Sequence, residues 1–279
     1  MKRTVLTIIV VLAASSQIAA FDFIRGQGNG MGQTVMLSHS SPTTLVNVPS
    51  GGLSPGEWRI ETGYNRMYDL SELDQFFLAG AYRYRWLIFS QGVSNLGQSD
   101  LYSELTGKLG VAYRYDSLSV GLTVSGRKLD FGGGYGSLNA ITMGAGASYR
   151  TKRFYAAVIG DNLIPPSFHP NAVKPNPYFS LYGEFMGKES FAVTGRITME
   201  KDQDVQLALG QKIFVSDYGS LFWGIGSNPL EFGGGLEIVY NNSYISYAFS
   251  SHPVLGLSHT ISVSYGMGAK SRSQGDDFK

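Results

Sequence analysis

Residues 103–115 alternate with period two. Leu105, Gly107, Leu109, Val111, Tyr113 and Tyr115 fall on one face; Glu104, Thr106, Lys108, Gly110, Ala112 and Arg114 fall on the other. Successive side chains of a strand point to opposite faces, so this segment reads as a strand with one apolar, aromatic-ended face and one charged face. The pattern recurs almost to the C-terminus in segments of about the ten residues that a tilted membrane strand needs. Strands are expected at 58–68, 76–84, 87–95, 103–115, 118–129, 138–150, 153–163, 178–186, 191–199, 205–215, 221–227, 231–240, 244–250 and 259–267, with poor alternation only in the third. An even number suits a single-chain bacterial barrel. The expected fold is all-β: a transmembrane antiparallel β-barrel of about 14 strands.

Loop lengths orient it. Connections after even-numbered strands, such as Arg85-Trp86, Asp116-Ser117, Thr151-Lys152 and Asn241-Asn242, are short; those at 69–75, 96–100, 131–137, 164–177 and 251–258 are mostly longer. Outer-membrane barrels keep their periplasmic turns short, so both barrel ends are expected to face the periplasm. Tyr84, Trp86, Tyr113, Tyr115, Tyr149, Phe154 and Tyr240 gather at the short-turn strand ends as an aromatic girdle. A secreted soluble β-sandwich also alternates, but it does not predict aromatics at one strand end on the face away from the charges.

Residues 1–20 read as a signal peptide: Lys2 and Arg3, an apolar run over 5–14, then Ser15, Ser16, Ala19 and Ala20. The run is too short for a membrane anchor. Residues 21–55 are a leader, 56–268 the barrel and 269–279 a polar tail. Mean hydropathy is −0.04, too polar for membrane helices and natural where half of each strand faces a wet lumen. Without Lys2 and Arg3, 20 of the 22 basic residues stand against 21 acidic ones. That balance gives no sign of a nucleic-acid partner. The chain has no cysteine, hence no lipoprotein acylation and no disulfide.

No catalytic constellation, cofactor motif or metal spacing is evident. His39, His169, His252 and His259 are dispersed. Residues 132–136 are glycine-rich without the Lys-Ser or Lys-Thr of a phosphate loop, and read as a hairpin tip. A barrel hydrolase would need a Ser–His pair on the outer face; strand parity sets His259 outward and Ser262 and Ser264 inward, so they should not meet. The inward charges stand out instead: Arg59, Glu61, Arg83, Glu104, Lys108, Arg114, Arg127, Glu184, Arg196, Lys212 and Glu237. Charges enclosed in a barrel must pair with one another, with backbone or with water. They read first as a network that fills the lumen, and second as a site for an acidic head group.

The leader contains Gly30-Met31-Gly32 and then Ser41-Pro42-Thr43-Thr44-Leu45-Val46-Asn47-Val48-Pro49-Ser50-Gly51-Gly52-Leu53. This resembles the leader of the FadL-like fatty-acid-transporter superfamily, in particular its PorV/PorQ-like branch, with its Met-Gly-Gly-Ala stretch and Asn-Pro-Ala-Gly-Leu motif. Leu118-Ser119-Val120-Gly121-Leu122-Thr123, Gly160-Asp161-Asn162-Leu163 and Tyr247-Ala248-Phe249-Ser250 are similar to other strands of those barrels. The chain departs from the pattern where Val48 splits the Asn-Pro pair and Ser40-Ser41 replaces an acidic pair.

The resemblance implies fourteen strands with the leader folded into or under the lumen as a plug, carrying Gly30, Met31, Gly32, Asn47, Pro49, Gly51 and Leu53. It implies one of two roles: uptake of hydrophobic molecules, sometimes through a gap in the barrel wall, or service as a type IX secretion subunit that binds secreted proteins. Outer-membrane lipid and the barrel-assembly machinery are the other expected partners. A wall gap is most expected in the third strand, at Gly92, and a protein-binding rim at 164–177. The leader's Met31, Val35, Met36, Leu37, Leu45, Val46 and Val48 show neither strand nor helix periodicity. They are expected to bury against the lumen, with Asn47 and Ser50 bonded to charges such as Arg59 or Glu237.

Overall fold

In a computed structural model of the chain, which describes residues 27–38, 41–48, 52–98, 101–133, 136–164, 176–187 and 190–267, fourteen strands form where the alternation predicts them. They are β1 Trp58–Arg66, β2 Asp74–Tyr84, β3 Leu87–Gln98, β4 Tyr102–Tyr115, β5 Leu118–Phe131, β6 Gly136–Arg150 and β7 Phe154–Asp161, followed by β8 Tyr178–Gly187, β9 Phe191–Glu200, β10 Gln206–Ser216, β11 Gly219–Gly226, β12 Glu231–Tyr240, β13 Ser243–His252 and β14 Gly256–Met267. Each pairs antiparallel with its sequence neighbours. β1 closes the ring on β14, from Trp58 opposite Met267 to Arg66 opposite His259.

The barrel is apolar outside and polar inside. In β5, Leu118, Val120, Leu122 and Val124 are exposed, while Ser119, Thr123, Ser125 and Arg127 are buried. The aromatic residues named for the short-turn girdle are all exposed. Arg85, Asp116 and Asn241 open the two-residue turns with φ of 52°, 51° and 52°. That left-handed backbone lets a tight hairpin follow the strand twist.

β3 alternates in space after all: Ile88, Ser90, Ser94 and Leu96 are buried, and Phe89 and Val93 are exposed. Its chemistry misled because Ile88 faces inward against the leader. The described part of the leader lies inside the ring. Four apolar clusters join it to the wall: Val35, Leu37 and Val48 with Tyr155, Ala157, Ile159 and Tyr182; Val46 with Phe77 and Ala79; Met31 and Met36 with Ala192, Phe222 and Ala248; Leu45 and Leu53 with Ala81, Ile88 and Ala112. Burying each larger side chain contributes about 1.5–3 kcal/mol.

The leader is not without helix, as its pattern suggested. Gln27–Gly30 makes one helical turn and Pro42–Asn47 a short helix. Ser41 caps the latter, its Oγ accepting from Thr44 N at 3.2 Å, with Pro42 in the first turn where its missing N–H costs nothing. Pro49, Ser50 and Gly51 of the plug motif, the signal-peptide segment and the polar tail lie outside the described residues.

Candidate functional site

The inward carboxylates grip the leader through its backbone and hydroxyls. Glu61 on β1 accepts from Thr43 N at 3.2 Å and Thr43 Oγ1 at 2.8 Å. Glu184 on β8 accepts from Leu37 N, Ser38 N and Ser38 Oγ. Glu237 on β12 accepts from Gln27 Nε2 and, at 2.6 Å, from Lys212 Nζ. Lys212 is fully buried and also donates to Gln27 Oε1 at 3.2 Å. Thr194 Oγ1 donates to Val35 O at 2.9 Å.

Lys108 on β4 ties wall to leader. It donates to Asp161 Oδ2 at 3.1 Å and to Asn47 Oδ1 at 3.3 Å. Asn47, expected to bond a lumen charge such as Arg59 or Glu237, thus bonds the lumen charge Lys108. Arg59 pairs with Glu57, which the sequence reading passed over. Asp161 was passed over as well, although parity with Ala157 and Ile159 aims it inward. Arg83 Nη1 donates to Leu53 O at 2.6 Å, and Arg114 Nε to Asp116 O at 3.3 Å near the short turns. Glu104, Arg127 and Arg196 are buried, and Glu104 accepts from the Tyr102 hydroxyl.

On the opposite wall the leader touches bare backbone. Gly210, Gly224 and Gly233 stand opposite one another on β10, β11 and β12 and face inward. A Cβ at Gly224 would overlap the Met31 carbonyl; one at Gly233 would come within 2.8 Å of Asn29 O, and one at Gly210 within 3.0 Å of Met31 Cε. Gly30 and Met31 sit in this trough.

Outside, two adjoining recesses of about 530 and 700 Å³ run from β1 to β6 and share Val93, Gly107 and Gly126. Val93, Gly107, Gly126 and Ile141 are in register across four strands. A Cβ on either glycine would meet nothing within 4 Å, so missing side chains on the outer face make the furrow. Gly92 lines it, but β3 shows no gap there: Gly92 pairs with Ala79 on one side and Lys108 on the other. The wall is closed and thinned.

His259 and the serines stay apart as parity requires. His259 Nδ1 bonds the Tyr247 hydroxyl at 2.8 Å, and Ser262 bonds Ser246 at 2.7 Å on the inner face. Among the described residues no three His, Asp or Glu side chains are grouped to hold a metal.

No known family's sequence pattern matches the chain, and no curated protein is similar to it in sequence. Solved structures are similar in fold. The Ralstonia pickettii toluene transporter TbuX superposes with a TM-score of 0.64 at 10% identity, over 88% of this chain and 98% of that one. The Pseudomonas putida toluene transporter TodX gives 0.63 at 10% identity, over 88% and 99%. The CymD monoaromatic hydrocarbon channel gives 0.54 at 12% identity, over 94% and 98%. The chain is thus a closed, antiparallel, membrane-type barrel of fourteen strands, sharing its architecture with proteins named as transporters and channels.

Proposed function

We propose that the protein is an outer-membrane channel that binds or passes small hydrophobic molecules, with the leader as its plug and residues 1–20 as the signal that exports it. One observation carries this reading. The lumen of a closed barrel is occupied by the chain's own N-terminal segment, held by polar contacts and by apolar clusters of the kind a hydrophobic solute could replace. A lateral route into lipid would have to open through the thinned wall over β3, which is closed in this structure. The fold neighbours agree with the FadL-type part of the sequence resemblance. The PorV/PorQ-like branch draws no support from them, and the rim on which a secretion partner would dock, 164–177, lies mostly outside the described residues. No observation favours that second role.

The test is deletion of residues 40–52. The barrel should still fold, and its conductance to small solutes in planar bilayers should rise. Toluene uptake by vesicles carrying the intact protein should fall when the furrow is filled by Gly107→Trp. An unchanged conductance, with the leader freely cut by protease in the intact barrel, means that the leader plugs nothing.

A further inference from the structure

The inward-facing end positions of β2, β4 and β6 are Arg83, Arg114 and Arg150, at the mouth ringed by the short turns. They surround one stretch of the leader. Arg83 Nη1 donates to the Leu53 carbonyl at 2.6 Å. A Cβ on the adjacent Gly52 would stand 2.6 Å from Tyr155 Oη, 3.3 Å from Arg150 Nη1 and 3.5 Å from Arg114 Nη1. All three side chains therefore converge on this glycine, and the Arg150 guanidinium also lies 4.9 Å above the Tyr155 ring.

Two independent features call for negative charge here. Three guanidinium groups share one mouth, and among the described residues neither Arg83 nor Arg114 forms an ion pair. Their hydrogen-bond partners include the backbone carbonyls of Arg85, Leu53 and Asp116, while the carboxylates of Glu57 and Asp116 act on them only from beyond ion-pair distance. Like charges held close repel unless an anion joins them. The second feature is the Tyr155 hydroxyl, on a side chain only 4% exposed, which finds no acceptor for its proton. The arginines around it are donors, so its proton lacks an acceptor, and an unfilled buried polar group is costly.

The geometry points to an oxyanion-binding site at the short-turn mouth, built by Arg83, Arg114, Arg150 and Tyr155, where the leader's own Gly52-Leu53 backbone stands in for the anion. Guanidinium forks take carboxylate or phosphate oxygens in pairs, and the same oxygens accept the tyrosine proton. An arriving anion competes with the Leu53 carbonyl for Arg83 and loosens the leader where it leaves the lumen. Binding is independent of what the channel carries; only its effect on the leader rests on the plug reading.

The full-length barrel in detergent, at low ionic strength, is titrated calorimetrically with inorganic phosphate and separately with acetate. One saturable site is expected, weakened at least tenfold by Arg114→Gln and by Tyr155→Phe, which removes only the hydroxyl. Arg66→Gln, at the opposite mouth, should keep wild-type affinity. Phosphate should also speed proteolysis within residues 27–55 of the wild type and not of Arg114→Gln. Binding of both probes supports a general oxyanion site, and binding of phosphate alone narrows it to phosphate. No saturable binding, or wild-type affinity in both variants, overturns the site. Binding without faster cleavage overturns the competition with the leader. None of these outcomes depends on toluene uptake, so the channel reading stands or falls separately.

Discussion

Gly224 on β11 lies directly against the backbone of Met31, with no room between them for a single carbon. The leader is seated by what the wall lacks there, since a bare strand backbone permits close approach. Gly224→Val should therefore unseat the leader without harming the strand, because β-branched residues suit strands. Limited proteolysis followed by mass spectrometry should find residues 27–38 cleaved in the variant and protected in the wild type. Gly126→Val, on the outer face with nothing within 4 Å, should leave protection unchanged. Equal protection in both variants would mean that the leader is seated elsewhere.

The ion pair of Lys108 and Asp161 is buried, with side chains 3% and 6% exposed. Removing one partner strands the other charge, at a cost of about 3–5 kcal/mol. Lys108→Met alone should lower the unfolding midpoint in urea titrations of the barrel in lipid vesicles. Lys108→Met combined with Asp161→Leu should recover most of the loss, since two apolar residues of similar bulk leave no buried charge. A double variant as unstable as the single one would show that the pair is worth more than its removal costs.

Glu184 is the acceptor for three leader donors, two of them backbone N–H groups. Hydrogen bonds to a charged group contribute about 1.5–3 kcal/mol each, so Glu184→Ala should release this part of the leader. Single-channel recordings should find larger or more frequent openings than in the wild type. Glu184→Gln, which keeps one acceptor oxygen, should fall between the two. Conductance indistinguishable from wild type in Glu184→Ala would separate this clamp from channel closure.

Leu109 is among the most exposed apolar side chains of β4, at 63%, and belongs to the face read as lipid-contacting. Leu109→Arg should destabilise the barrel in a bilayer by about 2–4 kcal/mol if it lies near the midplane, against about 0–1 kcal/mol for a charge near the interface. Tyr218→Arg, at a short turn, supplies that comparison. Folding titrations in vesicles measure both, and equal costs would remove Leu109 from the membrane core.

The strands were legible because their information is local. A period of two, read over ten residues, sets which side chains share a face, and closing the sheet turns one face to lipid and the other to the lumen. That logic aimed Glu61, Lys108, Lys212 and Glu237 inward and kept His259 from Ser262 and Ser264. It stumbled at β3, where Ile88 faces inward because Leu45 and Leu53 cover it. A hydrophobic residue on the wet face makes sense only once its cover is known.

The amino-acid sequence alone determined strand number, facing and the shortness of one set of turns, because backbone pleat and hairpin length depend on neighbours in the chain. Only the tertiary structure decided what the leader touches. Gln27 reaches Glu237 across 210 positions, Lys108 chooses Asn47 and Asp161, and Gly210, Gly224 and Gly233 become a trough only when three strands align. The leader has no repeating pattern of its own to read. Its contacts are set by the shape and charge of a lumen that exists only after the ring has closed.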